Sequence, residues 1–426
     1  MKIDKLDAFQ IFDSRGNPTI ETIVRLDSGI EGRASVPSGA SRGKYEALEL
    51  RDGDPSRFRG KSVFQAIGHV QNEINDALSG RSVEDQRSID ELLISLDGTD
   101  NKSRLGANAM LGTSMATARA AAAGRNLPLF RSLTNSSGTL IPIPEIQIIG
   151  GGAHSGGRID VQDFMIICNG AKSYSECLEM TFNVYHECGI LLKEQNKLSG
   201  LADEGGYWPE FETNEAVFDI ILRAIERSGY KPGADISFSL DVAASELFAD
   251  GAYHLRLEEK RYSPRQFYSL MSEWCENYPI ISLEDPFAED DLANWEKLTA
   301  DLGSRVNIIG DDLFTTDINR VHDGISRRLA NSVLIKLNQI GTVTETMDCI
   351  RATQEAGWLP VVSARSGETE DSFIAHLAVA TDAGQLKVGS FARGERMVKW
   401  NEILRIERAL KGESMYIGAE LFDRSS

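Results

Sequence analysis

The chain has 426 residues, enough for two domains and a large buried core. Its 45 lysines and arginines against 64 aspartates and glutamates give a formal charge of −19, which argues against a nucleic-acid or anionic-membrane binder, since that needs a basic face. A small anionic substrate is compatible with that balance, because one pocket can be positive on a negative body.

The five cysteines, Cys168, Cys177, Cys188, Cys275 and Cys349, form no C-x-x-C pair and read as reduced, packed thiols of a cytoplasmic protein. The N-terminus has no apolar signal-like core. The small-residue stretch 107–123 carries Arg119, so it reads as a packing helix, not a membrane span.

In chain order, residues 1–35 alternate apolar and polar side chains between turn signals at Gly16-Asn17-Pro18 and Asp27-Ser28-Gly29, which predicts an antiparallel meander. Residues 36–45 have no periodicity and read as a mobile lid loop. Helical patterns over 62–78, 85–96 and 107–124 complete an N-terminal α+β domain spanning 1–132. From 133 to 426 the pattern changes. A Gly-rich stretch at 150–157 precedes helices near 172–196 and 213–228, and then short apolar runs recur, each leading to an ionisable group. These groups are Asp241, Glu284, Asp311, Lys336, Arg365 and Lys387. Their spacing runs from 22 residues (Arg365 to Lys387) to 43 (Asp241 to Glu284). That is the rhythm of βα units in a barrel, and it predicts that charged strand ends converge on one mouth.

Asp241, Glu284 and Asp311 offer three carboxylates with no cysteine and no strand-end histidine among them. Oxygen-only donors suit a hard cation, Mg²⁺ first; a simple helix cap is the competing reading of each. Lys336 and Lys387, flanked by apolar strand residues, are expected to have a lowered pKa, which makes one of them a usable general base. An ordinary ion pair is the alternative. Asp203-Glu204-Gly205-Gly206 places acids where backbone can approach a ligand, so a general acid or a turn cap fits there. Arg365-Ser366-Gly367 suits an anionic group. Gly39-Ala40-Ser41-Arg42-Gly43-Lys44 looks like a phosphate loop but fails the P-loop spacing. His154, in the Gly-rich loop, stands out from the other five histidines, which read as helix or surface-loop residues.

Taken together these motifs resemble enolase (phosphopyruvate hydratase). The likeness runs through Asp13-Ser14-Arg15-Gly16-Asn17-Pro18, Pro37-Ser38-Gly39-Ala40-Ser41, Asp203-Glu204-Gly205-Gly206, Ser282-Leu283-Glu284-Asp285-Pro286, Gly310-Asp311-Asp312-Leu313, Leu334-Ile335-Lys336-Leu337-Asn338 and Arg365-Ser366-Gly367-Glu368-Thr369. The resemblance implies an α/β fold, an enolase-type ββαα(βα)6 TIM barrel with an N-terminal α+β capping domain, as a homodimer. By position it implies that Asp241, Glu284 and Asp311 hold one Mg²⁺, with Ser41 reaching a second that arrives with substrate. It makes Lys336 the base, Lys387 a stabiliser of the dianionic intermediate, and Glu204 the helper of hydroxyl loss with Asp163 nearby. His154, Gln162, Arg365 and Ser366 then contact substrate.

Four positions depart from the family pattern. Ser363-Ala364-Arg365-Ser366 lacks an imidazole, and Gln162-Asp163 withdraws a carboxylate by about 1.5 Å. Arg42 adds a cation on the lid, and Gly150-Gly151-Gly152 replaces Asn-Gly-Gly. A bulkier or more anionic phosphorus group fits these changes. The expectation is therefore an enolase-type lyase acting on a phosphorus-modified relative of 2-phosphoglycerate, in the manner of carboxyphosphonoenolpyruvate synthases of phosphinate antibiotic biosynthesis. An ordinary glycolytic enolase and a weakened scaffold paralogue are the alternatives.

Overall fold

The computed structural model describes residues 1–39, 43–134 and 138–423. The predicted meander forms β1 (Ile3–Phe12), β2 (Pro18–Leu26) and β3 (Glu31–Ser35), all antiparallel. Ile20, Thr22, Val24 and Leu26 point inward with the period of two that a half-covered sheet requires. α1 (Gln86–Asp97) begins where the Asp85 side chain accepts from Ser88 N and ends at Gly98 with φ 68°. The stretch 62–78 is segmented: Phe64–His69, a π-helical Val70–Ile74, and Asn75–Leu78.

α2 (Ala107–Gly124) is buried on nearly every face, because its alanines and glycines let it lie directly on β2 and β3. The approach is closest at Gly32, where a Cβ would stand 2.2 Å from Ala116 O and 2.3 Å from Ala120 N. Among the described residues no helix is long and apolar enough to cross a membrane.

The second part is a closed eight-stranded barrel. Its strands are β4 (Ile143–Gly150), β5 (Asp163–Ile167), β6 (Ser237–Asp241), β7 (Ile280–Glu284), β8 (Asn307–Gly310), β9 (Ser332–Ile335), β10 (Leu359–Ser363) and β11 (Gln385–Ser390), with β11 pairing back to β4. β5 runs antiparallel to both neighbours, and every other pair is parallel. Between β5 and β6 come two helices in succession, α3 (Tyr174–Glu194) and α4 (Glu215–Arg227). The ββαα opening and the regular βα series are as expected. His254 is a correction, since it lies in the strand Ala252–Leu255 of a small three-stranded sheet.

The N-terminal sheet is stitched to the loop that follows β10. Ser38 and Gly367 exchange backbone hydrogen bonds of 2.8 and 2.9 Å, and Ser14 N donates to Glu368 O at 2.7 Å. Arg119 of α2 grips Asp371 with two bonds of 2.5 and 2.7 Å, while Asp371 also accepts from Ser35 N. Lys399, fully buried in α5 (Gly394–Ala409), pairs with buried Glu368 at 2.8 Å, and Glu368 in turn accepts from Arg365 N.

Replacing Gly32 by alanine should force β3 and α2 apart. A loss of about 1–3 kcal/mol, read from urea or thermal unfolding, is expected.

Candidate functional site

In a parallel barrel the strand C-termini share one rim, and chemistry collects there. Asp241 ends β6 and Glu284 ends β7, and the two are register partners. Asp311 follows β8, Lys336 follows β9, and Ala364, Arg365 and Ser366 follow β10. Because β5 is reversed, its first residue, Asp163, stands at the rim opposite Asp241. The turn Gly152–Ser155 after β4 brings in His154, and the loop before α4 brings in Glu204. These residues, with Gln162 and Lys387, line a single cavity, apart from fully buried Glu284, which reaches it through Lys387.

Lys387 departs from the expected strand-end position. It is the third residue of six in β11 and reaches up from inside the barrel. Its Nζ lies 2.8 Å from Asp241 Oδ2, 2.7 Å from Glu284 Oε2 and 3.8 Å from Asp163 Oδ2. Gln162 Nε2 also donates to Asp241 Oδ2, at 3.0 Å. Lys336 Nζ sits 2.5 Å from Asp311 Oδ2, and Gln339 Nε2 donates to Asp311 Oδ1 at 2.7 Å. Two carboxylates as close as Asp241 and Glu284 need a positive charge between them, and Lys387 supplies it.

With these carboxylates as their partners, the two lysines are held up, opposite in direction to the lowering expected beside a cation. Burial does pull the Lys336 ammonium down, but Asp311 and Glu284 outweigh it and hold it above the usual lysine range. Lys387 is likewise pulled down by burial and then raised well above that range by Asp241, Glu284 and Asp163. Carboxylates facing from other strands, and not the apolar flanks, set the sign.

Across the cavity, His154 Nδ1 pairs with Asp163 Oδ1 at 2.9 Å and its Nε2 lies 3.8 Å from Glu204 Oε1. Burial works against the imidazolium, yet Asp163 and Glu204 raise it to about 9. Burial likewise penalises the Asp163 carboxylate, and His154 and Lys387 bring it down to about 2. The shortened Asp163 is reached by Gln147, whose Nε2 donates to Asp163 Oδ1 and whose Oε1 accepts from Gly206 N at 2.8 Å. A Cβ at Gly150 would meet Ala202 Cβ at 2.6 Å and Gln147 Nε2 at 3.2 Å. Gln147, Gly150 and Asp163 thus form one steric unit, and two of the four sequence departures belong to it.

Arg365 is buried, with Nη1 3.0 Å from Glu46 Oε2 and 2.9 Å from Asn338 Oδ1, and Nη2 3.2 Å from Glu46 Oε1. Fully buried Arg396 fixes the same loop by donating to Arg365 O and Ser366 O, each at 2.6 Å. Ala364 is buried beside them and lines the cavity. Ser41 and Arg42 lie outside the described residues.

The sequence reading assigned no role to Glu46, Gln147, Asp285, Asp312, Asn338 or Gln339. The doubled acids Glu284-Asp285 and Asp311-Asp312 were a visible signal. Asp285 is spent on structure, accepting from Asp311 N and Asp312 N at 2.9 Å each. Burial and Asp311 push the Asp312 carboxyl up to about 8.

The donor set accepts a hard cation on its own chemistry. It is all carboxylate, and Glu284 Oε1 is a buried oxygen with no hydrogen-bond partner among the described residues, the kind of orphan a metal ion satisfies. Among the described residues, the all-carboxylate trio whose oxygens lie within 4.8 Å of one another is Asp285, Asp311 and Asp312, not the expected Asp241, Glu284 and Asp311.

Fold and rim define an α/β barrel with a densely charged cavity at its mouth. The family model described as the enolase C-terminal TIM barrel domain matches residues 138–425, and that of the enolase N-terminal domain matches 3–133. "Enolase 1" of Desulfitobacterium hafniense (strain Y51) is 50% identical over 424 residues, covering 99% of this chain and 97% of that protein. The chain belongs to the enolase family, and it is a carbon–oxygen lyase.

The His154 pairing predicts a pH dependence in metal-free buffer. A raised folded-state pKa stabilises fully below the unfolded value near 6.5, and the contribution fades as pH rises through about 9. Urea midpoints of wild type and His154→Gln should differ most below about pH 6.5 and converge in alkali.

Proposed function

We propose that this chain dehydrates 2-phosphoglycerate to phosphoenolpyruvate and water, in a Mg²⁺-dependent reaction. The observation that carries the reading is the placement of two ammonium groups, Lys336 on Asp311 and Lys387 on Asp241 and Glu284, in one buried cavity with the His154–Glu204 pair. A base on one face and an acid on the other are what loss of an α-proton and a β-hydroxyl requires.

Asp311 and Glu284 hold Lys336 protonated while it is paired with them; in this reading it would act as the free amine once Asp311 holds a cation instead, taking the proton next to the substrate carboxylate. Lys387 keeps its proton and faces the growing negative charge. Glu204, with His154 beside it, delivers a proton to the departing hydroxyl, and the Gln147–Asp163 contact fixes the imidazole. Arg365 and Ser366, pinned from behind by Arg396 and Glu368, bind the phosphate, and Gln162 orients the substrate. Asp241, Glu284 and Asp311 would hold one Mg²⁺, and Ser41 would reach a second that enters with substrate. When bound, Mg²⁺ supplies counter-charge for these carboxylates and for the second negative charge that proton loss places on the substrate. The family resemblance also supports a homodimer, a cytoplasmic setting, and a capping domain over 1–132 ahead of the barrel domain over 133–426.

The expectation of a carboxyphosphonoenolpyruvate-type substrate has weaker support. The relative above is named as an enolase and matches end to end. The shortened Asp163 also has its own compensation in Gln147. One observation still favours a modified phosphorus group, namely the buried Ala364 where the family carries an imidazole. A scaffold role is disfavoured, because Lys336, Lys387, Glu204 and the three acids are all retained.

Ultraviolet assay of enol formation from 2-phosphoglycerate separates these readings. Wild type should turn over at ordinary enolase rates, and Ala364→His should change kcat/KM by less than about tenfold. Failure of wild type together with rescue by Ala364→His would transfer the assignment to the modified substrate. Separately, Lys336→Met should lower kcat by about 10²–10⁴-fold while the protein still binds Mg²⁺ in calorimetry.

A further inference from the structure

One layer below the rim, the barrel interior is polar. Branched apolar residues ordinarily fill such layers. Here Glu145 of β4 is completely buried, together with Ser239 of β6, Ser282 of β7, Asn307 of β8 and Gln385 of β11. Glu145 Oε2 accepts from Ser239 Oγ at 3.2 Å, and Oε1 accepts from Gln385 Nε2 at 2.5 Å and from Ser282 Oγ at 3.5 Å. Asn307 Nδ2 extends the network by donating to Gln385 Oε1 at 3.0 Å.

The spacing of these partners gives the layer meaning. Ser239 stands two residues before Asp241, Ser282 two before Glu284, and Gln385 two before Lys387. Side chains two apart on a strand share a face. Each partner of Glu145 is therefore the residue directly beneath one of the three groups that converge at the Lys387 ammonium. Glu145 is itself the register partner of Lys387 across the β4–β11 pair.

We propose that Glu145 is a positioning residue, the hub that sets the mutual spacing of Asp241, Glu284 and Lys387 by tying together the strands that carry them. It touches neither substrate nor metal, and it acts through Ser239, Ser282 and Gln385. The inference rests on the enolase reading of the rim above it. Burial pushes the Glu145 carboxyl up to about 7, against the opposing pull of Lys387. Glutamine keeps the size and planarity of the hub, with its amide donating to Ser239 and its carbonyl still accepting from Gln385.

The test pairs Glu145→Met with Glu145→Gln and adds the double variant Ser239→Ala/Ser282→Ala. Each is studied as the full chain, by calorimetric Mg²⁺ titration and by steady-state kinetics with 2-phosphoglycerate. Glu145→Met should weaken Mg²⁺ binding about tenfold and lower kcat by about 10–100-fold, with KM within about threefold of wild type. Glu145→Gln should retain most of both, and the double serine variant should reproduce the methionine losses in part. Wild-type Mg²⁺ affinity and kcat in folded Glu145→Met would overturn the proposal, as would a glutamine variant as damaged as the methionine one. If Glu145→Met does not fold, wild-type values in the double serine variant overturn it. A wild type that neither binds Mg²⁺ nor dehydrates 2-phosphoglycerate would defeat the reading of the rim first, and this proposal with it.

Discussion

The structure turns on one electrostatic requirement: Asp241 and Glu284 are brought side by side in a buried place, and something positive must stand between them. Neither acid could be tolerated there alone, because an isolated buried carboxylate costs several kcal/mol. Lys387 answers that need from within the barrel, and Lys336 does the same for Asp311. The fold thus holds its reactive groups as mutually neutralising pairs.

Much of the architecture was written in period and spacing. The meander was legible because one face of a three-stranded sheet is covered, so alternation survives in the sequence. The barrel was legible because β6 to β9 are short apolar runs, each stopping at or next to an ionisable residue. Asp163 was not legible in the same way. It sits at the start of a reversed strand, and no rule about strand C-termini would find it; the family likeness pointed to it instead. Lys387, placed inside its strand, blurred the rule from the other side.

The sign of the lysine shifts was out of reach for a different reason. Apolar neighbours in sequence announce burial, but the facing charges come from strands 25 or more residues away: Asp311 stands 25 before Lys336, and Asp241 stands 146 before Lys387. Glu46 and Gln147 were missed on the same account. Each acts through a partner brought near only by folding, Arg365 in one case and Asp163 with Gly206 in the other.

The seam between the N-terminal sheet and the barrel also constrains inheritance. Strand-like exchange between Ser38 and Gly367, the Arg119–Asp371 clamp and the Ser14–Glu368 bond join the loop that carries Arg365 to a different part of the chain. Recombination that paired this barrel with a foreign cap would disturb Arg365 without altering a single barrel residue. The two halves are bound to evolve as one lineage.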